Sequence, residues 1–233
     1  MSKASELFLC RLANGAKIKL LGDSITHGVG GTGFKQSGEH IVGEFHRNPD
    51  GFCWANEFSR LVSERYGAVV TNNACTGTTV EFILKNFASL VSPDDDIVIC
   101  TIGTNNRHQY FETGERKSRE EMLKTFRSNV NLLVDKFCEV GVDVIFVANI
   151  PASPRNERDG ENYWRILHMT DINDVYRGVE RERGIALISM YELFAKRCEE
   201  VGLTVDDLLP DGLHPGDEGY RVMLSLMCEA LGI

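Results

Sequence analysis

Apolar and polar positions fall into short blocks that alternate along the chain. Ile18–Leu21 is an apolar run closed by Gly22, the pattern of a buried strand. In 53–66, Trp54, Phe58, Leu61 and Val62 share one helical face, and Gly67 supplies a stop. Ala68–Thr71 is a second strand and Thr79–Leu90 a second helix. Asp96–Ile102 is apolar and β-branched, as expected of a central strand buried on both faces. Ser118 and Glu121 form a capping box, and Met122, Phe126, Val130, Leu133 and Phe137 keep helical spacing up to Gly141. Strand Val142–Ile150 follows, then a polar surface loop over 151–162. Helical pattern returns over Tyr163–Arg183. A strand at Ile185–Met190, a helix at Tyr191–Val201 and a last helix at Gly216–Leu231 complete the chain.

Five strands separated by helices predict a parallel sheet covered on both faces. Five are too few for an eight-fold barrel, so the expectation is an open α/β fold, a three-layer α/β/α sandwich. No repeat or linker interrupts residues 1–233, which are read as a single domain with a long loop at 27–53. In such sheets ligands bind beyond the carboxyl ends of the strands.

Composition narrows the function classes. The 233 residues are 42% hydrophobic and 25% charged, which excludes disorder and coiled coil. The formal charge is −9 and no Lys/Arg-rich run occurs, which argues against nucleic acid and anionic membranes as partners. No apolar run approaches the length of a membrane span, and residues 1–11 lack a signal-peptide pattern. Seven cysteines with no Cys-x-x-Cys pair point to reduced thiols and a cytoplasmic setting.

The segments after the strands carry the candidate chemistry. Gly22-Asp23-Ser24-Ile25-Thr26-His27-Gly28 follows the first strand. Ser24 is placed to be a nucleophile there, although Ser24 or Asp23 could equally just cap a helix. Gly77 follows the second strand and offers either an oxyanion N–H or a turn glycine. Asn105 follows the third, as an oxyanion donor or a turn residue. Asp211-Gly212-Leu213-His214 lies in a late loop, where Asp211 can fix the His214 tautomer, or both can be surface groups. Together these are the parts of acyl transfer: nucleophile, base, orienter and oxyanion clamp.

The combination resembles the SGNH hydrolases of the GDSL-like esterase/lipase superfamily. Gly22-Asp23-Ser24-Ile25-Thr26 matches the first family block, Gly77 the second, Gly103-x-Asn105 the third and Asp211-x-x-His214 the fifth. The resemblance implies a flavodoxin-like sandwich with five parallel strands. It also implies Ser24 as nucleophile, His214 as general base and Asp211 as its orienter. The oxyanion hole would be the N–H groups of Ser24 and Gly77 with the Asn105 side chain. No cofactor is implied. The third block departs from the family's usual Asn-Asp: here it is Asn105-Asn106.

Asp23, Arg107, His108 and Arg155 are candidate substrate-binding residues, with solvated surface charge as the alternative for the arginines. A polar pocket with aromatics suits an acylated sugar or a small polar ester better than a long acyl chain. The expected activity is hydrolysis of a small acyl ester, acetyl on a carbohydrate in the first instance. The alternatives are O-acyl transfer, lysophospholipase- or thioesterase-type hydrolysis, and a ligand-binding protein without turnover. His27, His40, His46 and His108 lack metal-ligand spacing, so no metal is expected. The 27–53 loop, with Gly28, Gly30, Gly31 and Gly33 and with His40, His46, Arg47 and Asp50, is read as pocket wall or as a homo-oligomer interface.

Overall fold

Side-chain alternation along the strands produces two separate cores. Ile97 and Ile99 face one way and Val98 and Cys100 the other, and all four are fully buried. A computed structural model describes residues 1–12, 15–45 and 48–233. Its strands are β1 (Lys17–Gly22), β2 (Val69–Asn72), β3 (Ile97–Thr101), β4 (His108–Tyr110), β5 (Asp143–Ala148), β6 (Tyr163–Arg165) and β7 (Ala186–Ser189). Its helices are α1 (Lys3–Leu12), α2 (Ser24–His27), α3 (Trp54–Tyr66), α4 (Val80–Lys85), α5 (Phe87–Leu90), α6 (Arg119–Val140), α7 (Met169–Arg183), α8 (Met190–Val201), α9 (Val205–Leu208) and α10 (Asp217–Leu231).

Five strands form one parallel sheet in the order β2-β1-β3-β5-β7, in keeping with the flavodoxin-like fold that the family resemblance implies. Helices α1, α3, α8 and α10 pack on one face, where Phe8, Trp54, Phe58, Phe194 and Met227 meet Ile18, Ile99 and Val147. Helices α4 to α7 cover the other, where Phe126, Phe137 and Tyr176 meet Cys100 and Phe146. Truncating any of these fully buried aromatics to alanine would cost about 3–5 kcal/mol. The chain leaves β1 towards β2 and then crosses back to β3. The topological switch point therefore lies between the carboxyl ends of β1 and β3, just before Ser24 and Asn105.

Three elements differ from the sequence expectation. The helix expected over Thr79–Leu90 is two short helices, because Asn86 leaves helical geometry and turns its side-chain amide onto the Phe82 carbonyl. Tyr163 does not begin a helix: Tyr163–Arg165 pairs antiparallel with His108–Tyr110, and α7 starts only at Met169, where the His168 N–H donates to Asp171. Residues 3–12, left unassigned by pattern, form α1, which buries Ala4, Phe8 and Leu12 at a spacing of four. Among the described residues no helix is long and apolar enough to cross a membrane.

Candidate active site

Asp23 and Ser24 divide the two roles that the sequence leaves open. Asp23 is the N-cap of α2, its Oδ1 accepting the Ile25 N–H at 3.0 Å. Capping is thus satisfied by the aspartate, and the Ser24 hydroxyl stays available. It lies 2.7 Å from His214 Nε2. His214 Nδ1 in turn lies 2.6 Å from Asp211 Oδ2. A carboxylate can only accept, so Nδ1 carries the proton and Nε2 accepts from the Ser24 hydroxyl. Asp211 Oδ1 also accepts the N–H groups of Leu213 (2.8 Å) and His214 (2.7 Å), which fix the turn. Burial alone would raise the Asp211 pKa. The hydrogen bond and charge of His214, with bonds from Ser37 and the backbone, outweigh it and hold the carboxyl well below its ordinary range. A hydroxyl, an imidazole and a carboxylate in this chain can generate a nucleophile at neutral pH.

Gly77 and Asn105 come from the loops after β2 and β3. Gly77 is left-handed at φ +74°, and a side chain there would overlap Val42. Asn105 Nδ2 donates to the Thr78 carbonyl at 3.0 Å, tying the two loops together. Both residues line a cavity of about 290 Å³ with Val42, His108, Tyr110 and Lys117. Asn106 faces the other loop. Its Oδ1 accepts the Val80 N–H at 3.1 Å and its Nδ2 donates to Glu81 Oε2 at 2.7 Å.

Of the four further candidates, only His108 lines that cavity. Its Nδ1 lies 3.3 Å from Arg165 Nη1, and its ring packs on Tyr110 and Tyr163 at 4.9 and 4.8 Å. Burial, with the charges of Arg165 and Arg107, brings its pKa down to about 4. The ring is therefore neutral at pH 7. Asp23 is fully buried beneath the site. Asn149 Nδ2 donates to its Oδ2 at 3.2 Å and to Thr104 Oγ1 at 2.8 Å, and Thr104 bonds Asp23 in turn. Burial raises the Asp23 pKa, against those hydrogen bonds and the nearby charges of His214 and Arg107. Arg107 is also fully buried, donating to Thr104 O (2.9 Å), Glu157 (2.8 Å) and Asn156 (3.0 Å). Burial and the Arg165 charge lower its pKa to about 10, so it stays cationic. Arg155 donates to the Leu209 and Pro210 carbonyls at 3.0 and 2.9 Å, just upstream of Asp211.

Sequence reasoning missed Asn149 and Ser153. Asn149 directly follows β5, so its strand-end position was the available signal. Ser153 is buried in the loop expected on the surface, and its N–H donates to the Gly212 carbonyl at 2.8 Å. The 27–53 loop runs over the site from Ser37 to Val42; its His46 and Arg47 lie outside the described residues. Among the described residues no group of three or more His, Cys, Asp or Glu side chains is arranged to hold a metal ion.

This architecture, with a hydroxyl–imidazole–carboxylate chain at the switch point, is that of an α/β acyl hydrolase. The model of the GDSL-like Lipase/Acylhydrolase family matches residues 20–222, and the chain belongs to that family. It is a carboxylic ester hydrolase by class. The acetylxylan esterase Axe2 of Geobacillus stearothermophilus superposes with a TM-score of 0.70 at 20% identity, covering 96% of this chain and 97% of that one. LAE5, an α/β hydrolase from the metagenome of Lake Arreo, Spain, gives 0.69 at 22% identity, covering 94% and 96%. No curated protein sequence matches the chain.

Proposed function

We propose that the protein is a serine esterase that removes a small acyl group, acetyl in the first instance, from a carbohydrate. The observation that carries this reading is the 2.7 Å contact of Ser24 Oγ with His214 Nε2, continued by the 2.6 Å contact of His214 Nδ1 with Asp211. His214 takes the Ser24 proton as the oxygen attacks the ester carbonyl. The Ser24 and Gly77 N–H groups and the Asn105 amide hold the oxyanion. The proton passes from His214 to the departing alcohol oxygen, leaving an acyl-enzyme. Water, deprotonated by His214, then releases the acid. Asp211 keeps Nδ1 protonated and stabilises the imidazolium without taking its proton.

Two observations support the carbohydrate half. The cavity beside Gly77 and Asn105 mixes polar side chains, including Thr79, Gln109, Thr113 and Lys117, with Val42, Tyr110, Met122 and Phe126. Such a wall offers hydrogen-bond partners for hydroxyl groups beside apolar faces for a sugar ring. The structural neighbour Axe2 is an acetylxylan esterase. Its catalytic mutants replace a serine, an aspartate and a histidine, the last two three positions apart, as Asp211 and His214 are here.

Hydrolysis of 4-nitrophenyl acetate and of acetylated xylo-oligosaccharides, set against longer acyl esters, tests both halves. Ser24→Ala is expected to abolish turnover of the activated acetate. Undiminished turnover in that variant would end the triad reading. A preference for long acyl chains would end the carbohydrate reading and leave the hydrolase. Product analysis with a sugar acceptor separates hydrolysis from acyl transfer.

A further inference from the structure

The segment Lys35–Phe45 lies across the candidate triad as a strap that touches its parts in turn. Ser37 hydrogen-bonds Asp211. The His40 ring meets the His214 ring edge-on, with centroids 5.6 Å apart and planes at 68°. Val42 lies on Gly77. The strap is anchored beside Gly77. The Gly43 N–H donates to the Thr76 carbonyl at 2.9 Å, the Glu44 N–H to Thr76 Oγ1 at 3.2 Å, and Thr76 Oγ1 to the Ile41 carbonyl. Lys35 and Glu44 close it with a 2.8 Å ion pair. His40 Nδ1 is buried without a hydrogen-bond partner, and the ring's one backbone bond, at Gln36, lies within the strap and does not account for its place over the triad. Ring packing against His214 explains it better.

We propose that His40 is a positioning residue for His214, and that it must be uncharged for turnover. The inference rests on the triad reading above. The Ser24 and Asp211 bonds hold His214 in the plane of its ring but leave its tilt free; a ring packed edge-on restrains that tilt. When His214 takes the Ser24 proton it becomes a cation. A neutral aromatic ring packed against it remains attractive, whereas a protonated His40 repels it. The charged groups facing His40 are His214, Asp211 and Glu44, the last paired with Lys35. Burial first, then His214, push His40 below its ordinary value; a backbone bond at Gln36 and the two carboxylates oppose this. Asp211 and Glu44 are both held below the usual carboxylate range, so both stay charged beside His40.

The test compares wild type with His40→Ala and His40→Phe. His40→Ala is expected to lower kcat about tenfold with KM unchanged, and His40→Phe to recover most of that loss. On the acid limb, log(kcat/KM) against pH should approach a slope of 2 in wild type, because two rings must be neutral, and 1 in His40→Phe. A substrate-free arm follows the His214 ring proton by NMR titration. Coupling to His40 broadens that curve in wild type, and His40→Phe should give a single-site curve. Wild-type kcat in His40→Ala, a Phe variant as slow as Ala, a slope of 1 in both proteins, or identical NMR curves would each overturn the proposal. If wild type cleaves no ester while the NMR curves differ, the esterase reading fails and the ring coupling survives.

Discussion

Asn106 donates to Glu81 at 2.7 Å, and that bond gives a physical reason for asparagine at this position. The same side chain accepts the Val80 N–H at the start of α4, so it needs both an acceptor and a donor. An aspartate could do only the first. Asn106→Asp would set two carboxylates against each other and raise the pKa of the pair. A carboxyl with a raised folded-state pKa contributes stability below its unfolded pKa and loses it as pH rises through the folded one. The variant should therefore match wild type near pH 4. By pH 8 it should fall behind by about 1 kcal/mol, since Glu81 is exposed and partly screened. Glu81→Gln in the same protein should restore stability. Urea unfolding at both pH values checks this.

Asn105 carries a separate expectation. Its amide already donates to the Thr78 carbonyl, which orients the side chain at the edge of the cavity. If the remaining N–H faces the developing oxyanion, Asn105→Ala should lower kcat by roughly 10²–10³ with little change in KM. A loss confined to KM would place Asn105 in ground-state binding instead.

The parts of the site that were legible in sequence are those set by local pattern. Ser24 follows an apolar run and a glycine, and Asp211 and His214 sit within one turn of each other. Contacts between distant segments left no such trace. Strands β4 and β6 are three residues each and more than fifty positions apart, so neither has a period to detect, and Tyr163 was absorbed into the helical pattern beyond it. Arg107 and Asp23 show no sign of burial in sequence, because their partners Glu157 and Asn149 come from the far side of β5. The contact of His40 with His214 spans most of the chain and depends on a loop without regular structure.

His108 makes stability depend on pH. Its folded pKa of about 4 lies below the ordinary histidine value, so the unfolded chain binds the extra proton between the two. Its contribution is full above about pH 6.5 and is lost as pH falls towards 4, worth about 2–3 kcal/mol after allowance for partial exposure. His108→Gln can still accept from Arg165 but does not titrate. Its unfolding free energy should fall less than that of wild type between pH 7 and pH 4.5. Parallel pH profiles for the two proteins would show that the neutral ring contributes nothing.

Gly212 separates Asp211 from Leu213 and His214, and its backbone is held on both sides. Its N–H donates to the Leu209 carbonyl at 2.8 Å and its carbonyl accepts the Ser153 N–H at 2.8 Å. Its φ is +86°, and an added Cβ would overlap Ser153 Oγ and crowd the Arg155 side chain. Gly212→Ala therefore adds backbone strain of about 1–3 kcal/mol and a clash. Relieving the clash means turning the buried Ser153 hydroxyl and the Arg155 side chain aside or moving the loop. Asp211 Oδ1 accepts the next two N–H groups, so a moved loop also shifts the carboxylate from His214 Nδ1. Melting should fall by about 4–8 °C, and kcat on 4-nitrophenyl acetate, measured well below that melt, should drop at least tenfold. Adding Ser153→Ala removes the overlap with the hydroxyl but leaves the Arg155 contact and the strain. It should recover part of kcat while most of the lost stability remains; full recovery of both would mean that the left-handed backbone at Gly212 is not what holds Asp211 in place.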